Sequence, residues 1–156
     1  MPARKIISVI PRWKNYIQGW RQFSACVLLC CTSSAFAEDS LFKRLGGEKV
    51  LKPVVHRLLV RAHRDVDTRR SFKDTDLQRI EEKLYEQICE LAKGPCRYTG
   101  DEMKLVHGGL QISQREFYAL VQQLRDELDR AKVGTAEKNE LLALLAPFKG
   151  DVVTVP

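Results

Sequence analysis

From Leu41 to Phe148 the apolar residues recur at intervals of three and four, and no stretch alternates apolar with polar. That is the helical period, so the chain is confined to an all-α fold. Val50, Val54, Val55, Leu58, Leu59 and Ala62 form one stripe on a helix from about Glu48 to Arg64, with Pro53 early enough to be tolerated. Leu77, Ile80, Leu84, Ile88 and Leu91 form a second, behind a cap at Asp74-Thr75. Phe117, Leu120, Val121, Leu124 and Leu128 form a third over Gln114 to Lys132. A last helix after Gly134-Thr135 carries Leu141, Leu142, Leu144, Leu145 and Phe148. Ahead of these, Asp39-Ser40 caps a short helix, Leu41 to Leu45, which Gly46-Gly47 ends. Asp65 to Lys73 reads as a polar turn with Phe72 its only large apolar residue, and Val152 to Pro156 as a frayed tail.

The stretch from Leu91 to Phe117 is the most structured of the connections. Gly94-Pro95 stops the preceding helix. Thr99 is positioned to cap a short helix whose first turn holds Asp101 and Glu102, the favourable charge at that end. Met103 and His107, four apart, share one face of it, and Gly108-Gly109 ends it. Ser113-x-x-Glu116 is a capping box for the next helix. On spacing alone, His107 is either a ligand or a partly buried histidine with a backbone partner.

Residues 1–37 read as a signal peptide. Five positive charges without an acid precede an apolar run, Ser24 to Ala37, that closes on the cleavage pattern Ala35-Phe36-Ala37. The run is too short for an ordinary transmembrane helix, so membrane contact is expected only during export, to the periplasm or the outside. Cleavage after Ala37 leaves residues 38–156, an ordinary single-domain length. It also takes five of the 26 Lys and Arg, leaving 21 against 20 Asp and Glu. The excess of +6 is therefore mainly a property of the leader, and nucleic-acid binding is not implied.

Cys26, Cys30 and Cys31 leave with the leader; Cys89 and Cys96 remain in an oxidising compartment. They form either a disulfide across the Gly94-Pro95 turn or one buried and one loop thiol. Seven residues of straight helix would hold them too far apart to bond. No Cys-x-x-Cys-His motif for covalent attachment of a prosthetic group is present.

Tyr98-Thr99-Gly100, Met103, His107, Ile112 and Phe117 resemble the region around the proximal histidine of the truncated haemoglobins. Leu41-Phe42-x-x-Leu45-Gly46-Gly47 is similar to that family's opening motif, and Ala146-Pro147-Phe148 through Asp151-Val152-Val153 to the end of its group 1 members. The resemblance runs from Ser40 to about Val153. It implies a globin-like two-on-two helical sandwich that binds haem b, with His107 as proximal iron ligand. It implies a haem-facing role for Phe72 and, around it, for Leu59, Ile80, Lys83, Leu84, Tyr98, Met103, Ile112 and Phe117. A small diatomic gas would be the ligand, with O2, NO and CO as the candidates, and a redox partner is possible.

Three departures bear on mechanism. Leu59 stands where group 1 members usually carry a tyrosine that donates to iron-bound oxygen, Ile80 and Leu84 fill the other distal positions, and the family's second glycine pair is reduced to Lys93-Gly94. Losing a hydrogen bond of about 1.5–3 kcal/mol would speed oxygen release roughly tenfold to a hundredfold. Tight oxygen storage and oxygen-dependent NO detoxification are therefore disfavoured. Lys83 either meets a haem propionate with its ammonium or serves as a sixth iron ligand once deprotonated. His56 and His63 read as solvated or propionate-facing, and Tyr85 sits at the edge of its stripe. A haem-binding, oxygen-binding protein is favoured over an enzyme. The alternatives are a six-coordinate electron-transfer or peroxidase-like protein and a globin fold that has lost haem and serves as an interaction module.

Overall fold

The computed structural model describes residues 39–155; the leader assigned to residues 1–37 lies outside the described residues. The fold is helical: α1 (Leu41–Arg44), α2 (Glu48–Arg64), a 3-10 turn (Arg69–Phe72), α3 (Leu77–Leu91), α4 (Met103–His107), α5 (Gln114–Arg130) and α6 (Thr135–Leu145), then a second 3-10 turn (Ala146–Phe148) and α7 (Lys149–Val152). Helix α2 packs on α3 and α5, and α3 on α6, which gives a two-on-two sandwich. Leu45, Leu51, Leu58, Ile88, Leu128 and Leu141 fill the space between the layers.

The helical period found the long elements; local chemistry moved their ends. Ser40 caps α1, and Gly46 and Gly47 take φ of 93° and 65°, so the chain reverses into α2. Asp76, rather than Asp74-Thr75, caps α3, its Oδ1 accepting from the Gln78 and Arg79 amides. Thr75 is unavailable because its hydroxyl donates to the Phe72 carbonyl at 2.8 Å, while Asp74 sits at φ 59°. Thr99 does not cap α4 either; Glu102 holds the cap position without a side-chain bond. The capping box at Ser113 and Glu116 is complete. Pro147, which has no N–H to continue the ladder, breaks the expected last helix into α6, the 3-10 turn and α7.

Cys89 and Cys96 form a disulfide, with Sγ–Sγ 2.04 Å and Cα–Cα 5.7 Å. The separation is bridgeable because α3 ends at Leu91 and Lys93, at φ 57°, turns the chain back. Glycine is required at position 94: a Cβ there would lie 2.6 Å from the Cys89 sulfur and 2.7 Å from the Phe42 ring.

The expected frayed tail is docked. The Thr154 and Val155 amides donate to the Ile112 carbonyl at 2.9 and 3.2 Å, and the Ile112 amide donates to Thr154 Oγ1 at 3.1 Å. Val155 thereby bridges Ser113 in parallel, an isolated β pairing on a helical domain.

Candidate functional site

A cavity of about 350 Å³ opens between the α2–α3 layer and the segment running from Tyr98 through α4 into α5. Leu59 reaches it from α2, Phe72 from the first 3-10 turn, and Ile80, Lys83 and Leu84 from α3. Tyr98, Met103, His107, Ile112 and Phe117 line the opposite wall. All ten residues singled out in the sequence thus meet around one space. The lining is overwhelmingly apolar, as expected of a pocket for a large hydrophobic group with a few polar anchors.

His107 is half-buried at the C-terminal end of α4. Its Nδ1 lies 2.7 Å from the Met103 carbonyl, which can only accept, so Nδ1 carries the hydrogen. In the neutral ring with that hydrogen on Nδ1, Nε2 is the nitrogen that keeps a lone pair. A carbonyl that accepts from the other ring nitrogen is a usual way for a ligating imidazole to be oriented. The backbone-partner reading of His107 is thus met, and the other ring nitrogen makes no hydrogen bond among the described residues.

Lys83 stands on the cavity wall with its ammonium committed. It donates to both Glu86 carboxylate oxygens at 3.1 Å and to Thr99 Oγ1 at 2.7 Å. The hydrogen bond to Glu86 raises the Lys83 pKa, and the Thr99 amide and hydroxyl, together with Lys83, lower that of Glu86. Here lies the reason that Thr99 does not cap α4: its amide and hydroxyl both donate to Glu86. The Tyr98 hydroxyl donates to the Asp101 carbonyl at 2.8 Å, and burial pushes its pKa up.

Several lining residues escaped the sequence reading. Thr68, 1% exposed, and Gln87 both carry donors, but each is engaged: the Thr68 hydroxyl with the Ala62 carbonyl at 2.8 Å, the Gln87 amide with the Met103 sulfur at 3.5 Å. Arg79 adds a cation, 3.9 Å from Asp101. The three residues weighed as minor candidates lie outside the cavity lining. His56 faces Glu81 at 2.9 Å, His63 is exposed, and Tyr85 sits under the Lys52 ammonium.

Two ties hold the chain just beyond His107. Arg70 donates to the Leu110 and Gln111 carbonyls at 3.0 and 2.8 Å and grips Glu116 with both Nε and Nη2. Burial pushes the Glu116 carboxyl up. Hydrogen bonds from Arg70, the Ser113 amide and hydroxyl, and Ser71 outweigh it and hold the pKa at about 2. Gln111, at φ 52°, makes the left-handed turn between Gly108-Gly109 and α5, and the docked tail clamps Ile112 next to it.

Comparison with known proteins agrees with this geometry. Residues 40–154 match the model of the family described as "Bacterial-like globin". The chain is 32% identical over 115 residues to the group 1 truncated hemoglobin GlbN of Mycolicibacterium paratuberculosis, a match covering 74% of this chain and 85% of that protein. It is 25% identical to the group 1 truncated hemoglobin of Tetrahymena pyriformis, covering 74% and 95%. The crystal structure of the Tetrahymena pyriformis truncated hemoglobin in its Fe(III) form superposes with a TM-score of 0.70 at 24% identity, covering 74% of this chain and 98% of that one. On these grounds the chain belongs to the bacterial-like globin family, with group 1 truncated haemoglobins among its relatives.

Proposed function

We propose that this globin holds haem b non-covalently, with His107 Nε2 as the proximal iron ligand, and reversibly binds a small diatomic gas. The observation that carries this is the His107–Met103 hydrogen bond, which engages Nδ1 and leaves Nε2 without a partner among the described residues, on the wall of an apolar cavity. Haem, when bound, supplies an open coordination position for the gas. The chain's own residues do the rest. Phe72, Ile80 and Leu84 exclude water, Met103, Ile112 and Phe117 pack against the macrocycle, and Tyr98 closes the edge. Arg79 and Lys83 are the cations on the cavity wall, and Arg79 is the freer of the two for a propionate, since Lys83 is held by Glu86 and Thr99.

Leu59 is buried and apolar, and the neighbouring Thr68 hydroxyl is spent on Ala62. The pocket therefore lends no donor to the gas, which favours fast release and a carrier or sensor role over tight storage. The six-coordinate electron-transfer reading would need Lys83 to abandon Glu86 and Thr99 and lose its proton, against the direction in which Glu86 moves it. Residues 1–37 as an export leader would place the domain in the periplasm or outside, and the Cys89–Cys96 disulfide supports an oxidising compartment. A redox partner that reduces the iron belongs to the same reading.

The test is the absorption spectrum of the protein loaded with haem, ferric and ferrous, with and without carbon monoxide. A five-coordinate ferrous form that takes up carbon monoxide at once is expected. His107→Ala should abolish stoichiometric binding or change the spectrum outright. An unchanged spectrum in that variant would remove His107 from the site, and a six-coordinate ferrous form lost in Lys83→Ala would move the reading to electron transfer.

A further inference from the structure

A second hollow, of about 480 Å³, lies between the outer face of α2 and α5 and shares no residue with the lining of the haem cavity. Helix α2 contributes His56, Arg57, Arg61 and Arg64, and α5 contributes Glu127 and Arg130. Four arginines therefore stand against two carboxylates, Glu127 and Asp65, an excess of two positive charges on the walls.

Glu127 is 2% exposed, an unusual place for a carboxylate. Arg57 Nε donates to its Oε2 at 2.8 Å, and Arg130 Nε stands 3.8 Å from the same oxygen. The acid is thus sealed beneath two guanidinium groups and fixes their placement without presenting a negative surface. Arg57 is bound through Nε, and the terminal nitrogens of its fork make no hydrogen bond among the described residues. Arg61 spends only Nη1, on Asp126 at 2.9 Å, and Arg64 makes no ion pair among the described residues. Arg57 and Arg61 are thus anchored with donors unspent, Arg64 and Arg130 are exposed beside them, and such guanidinium groups match the oxygens of a phosphoryl group, which accepts on several sides at once.

We infer that this hollow is a binding site for a phosphoryl-bearing anion, such as pyrophosphate or the headgroup of an anionic phospholipid. The site is independent of haem, since none of its residues lines the haem cavity.

The full chain, loaded with haem, is titrated calorimetrically with sodium pyrophosphate and, separately, with vesicles of phosphatidylglycerol in phosphatidylcholine. Saturable binding of one pyrophosphate per chain that weakens with added salt is expected. Arg61→Gln with Arg64→Gln should weaken it roughly tenfold or more, since two of the charged donors are removed. The charge-matched pair Lys49→Gln with Lys73→Gln should leave it unchanged, and all three proteins should melt alike. Vesicle binding with the same pattern, in the absence of pyrophosphate binding, would assign the phosphoryl group to a lipid. Binding of neither probe, or an equal loss in both double variants, would overturn the site.

Discussion

The two walls of the haem cavity are built differently. Helix α2 is 17 residues long and buries Leu51, Val54, Val55, Leu58, Leu59 and Ala62, so Leu59 faces the cavity from a rigid, close-packed rod. The wall that carries His107 is a five-residue helix with no buried residue, and Leu105 on it is 74% exposed. Such a helix gains almost nothing from packing and would not persist alone. It is positioned from its ends instead. Glu86 holds Thr99 ahead of it, and Arg70 and the docked tail hold residues 110–112 behind it. One wall is placed by apolar area, the other by directed hydrogen bonds. Polar ties can be weakened one at a time without unfolding the domain, so the wall that carries His107 belongs to the low-stability end of the molecule.

Three substitutions sharpen that contrast. Leu58→Ala, in the packed wall, should cost about 2–5 kcal/mol in denaturant unfolding and lower global stability without selectively loosening α4. Glu116→Gln, behind the other wall, should cost less. Loss of the charged pair with the half-exposed Arg70 is worth about 1–2 kcal/mol after solvent screening. Its signature is faster amide exchange in α4 than in α2. If Leu58→Ala speeds exchange in α4 as selectively as Glu116→Gln does, the two walls are not independent.

The same carboxylate gives the contrast a pH dependence. Glu116 is held at about 2 against an ordinary value of 4.5, so the unfolded chain takes up the proton first. Its contribution is complete above the ordinary carboxylate range and is lost as pH falls toward about 2. Wild type should therefore lose stability more steeply than Glu116→Gln across that window, and parallel curves would mean that Glu116 is not the group responsible. The smallest effect is expected for Thr154→Val, which removes the acceptor of the Ile112 amide at a cost of about 0.5–1.5 kcal/mol. Loosening should be confined to residues 110–113, read by hydrogen exchange. A tail that stays as protected as in wild type would show that the backbone bonds to Ile112 hold it unaided.

The helical class, the four apolar stripes and the capping box at Ser113 were legible because each depends on neighbours three or four residues apart. The ten residues drawn from the family resemblance line a single cavity for a related reason: once helix faces and order are known, the inward positions are known. Tertiary structure decided what depends on partners far along the chain. Thr99 turned from capping α4 to Glu86, 13 residues back. Arg70 closed on Glu116, 46 residues ahead, and Ile112 captured the tail at Thr154, 42 ahead. Glu127 went into the interior because Arg57, 70 residues earlier, arrived to meet it. The apolar period is a local property that burial reads directly, whereas a polar group has several possible partners and only the folded chain determines which comes within reach.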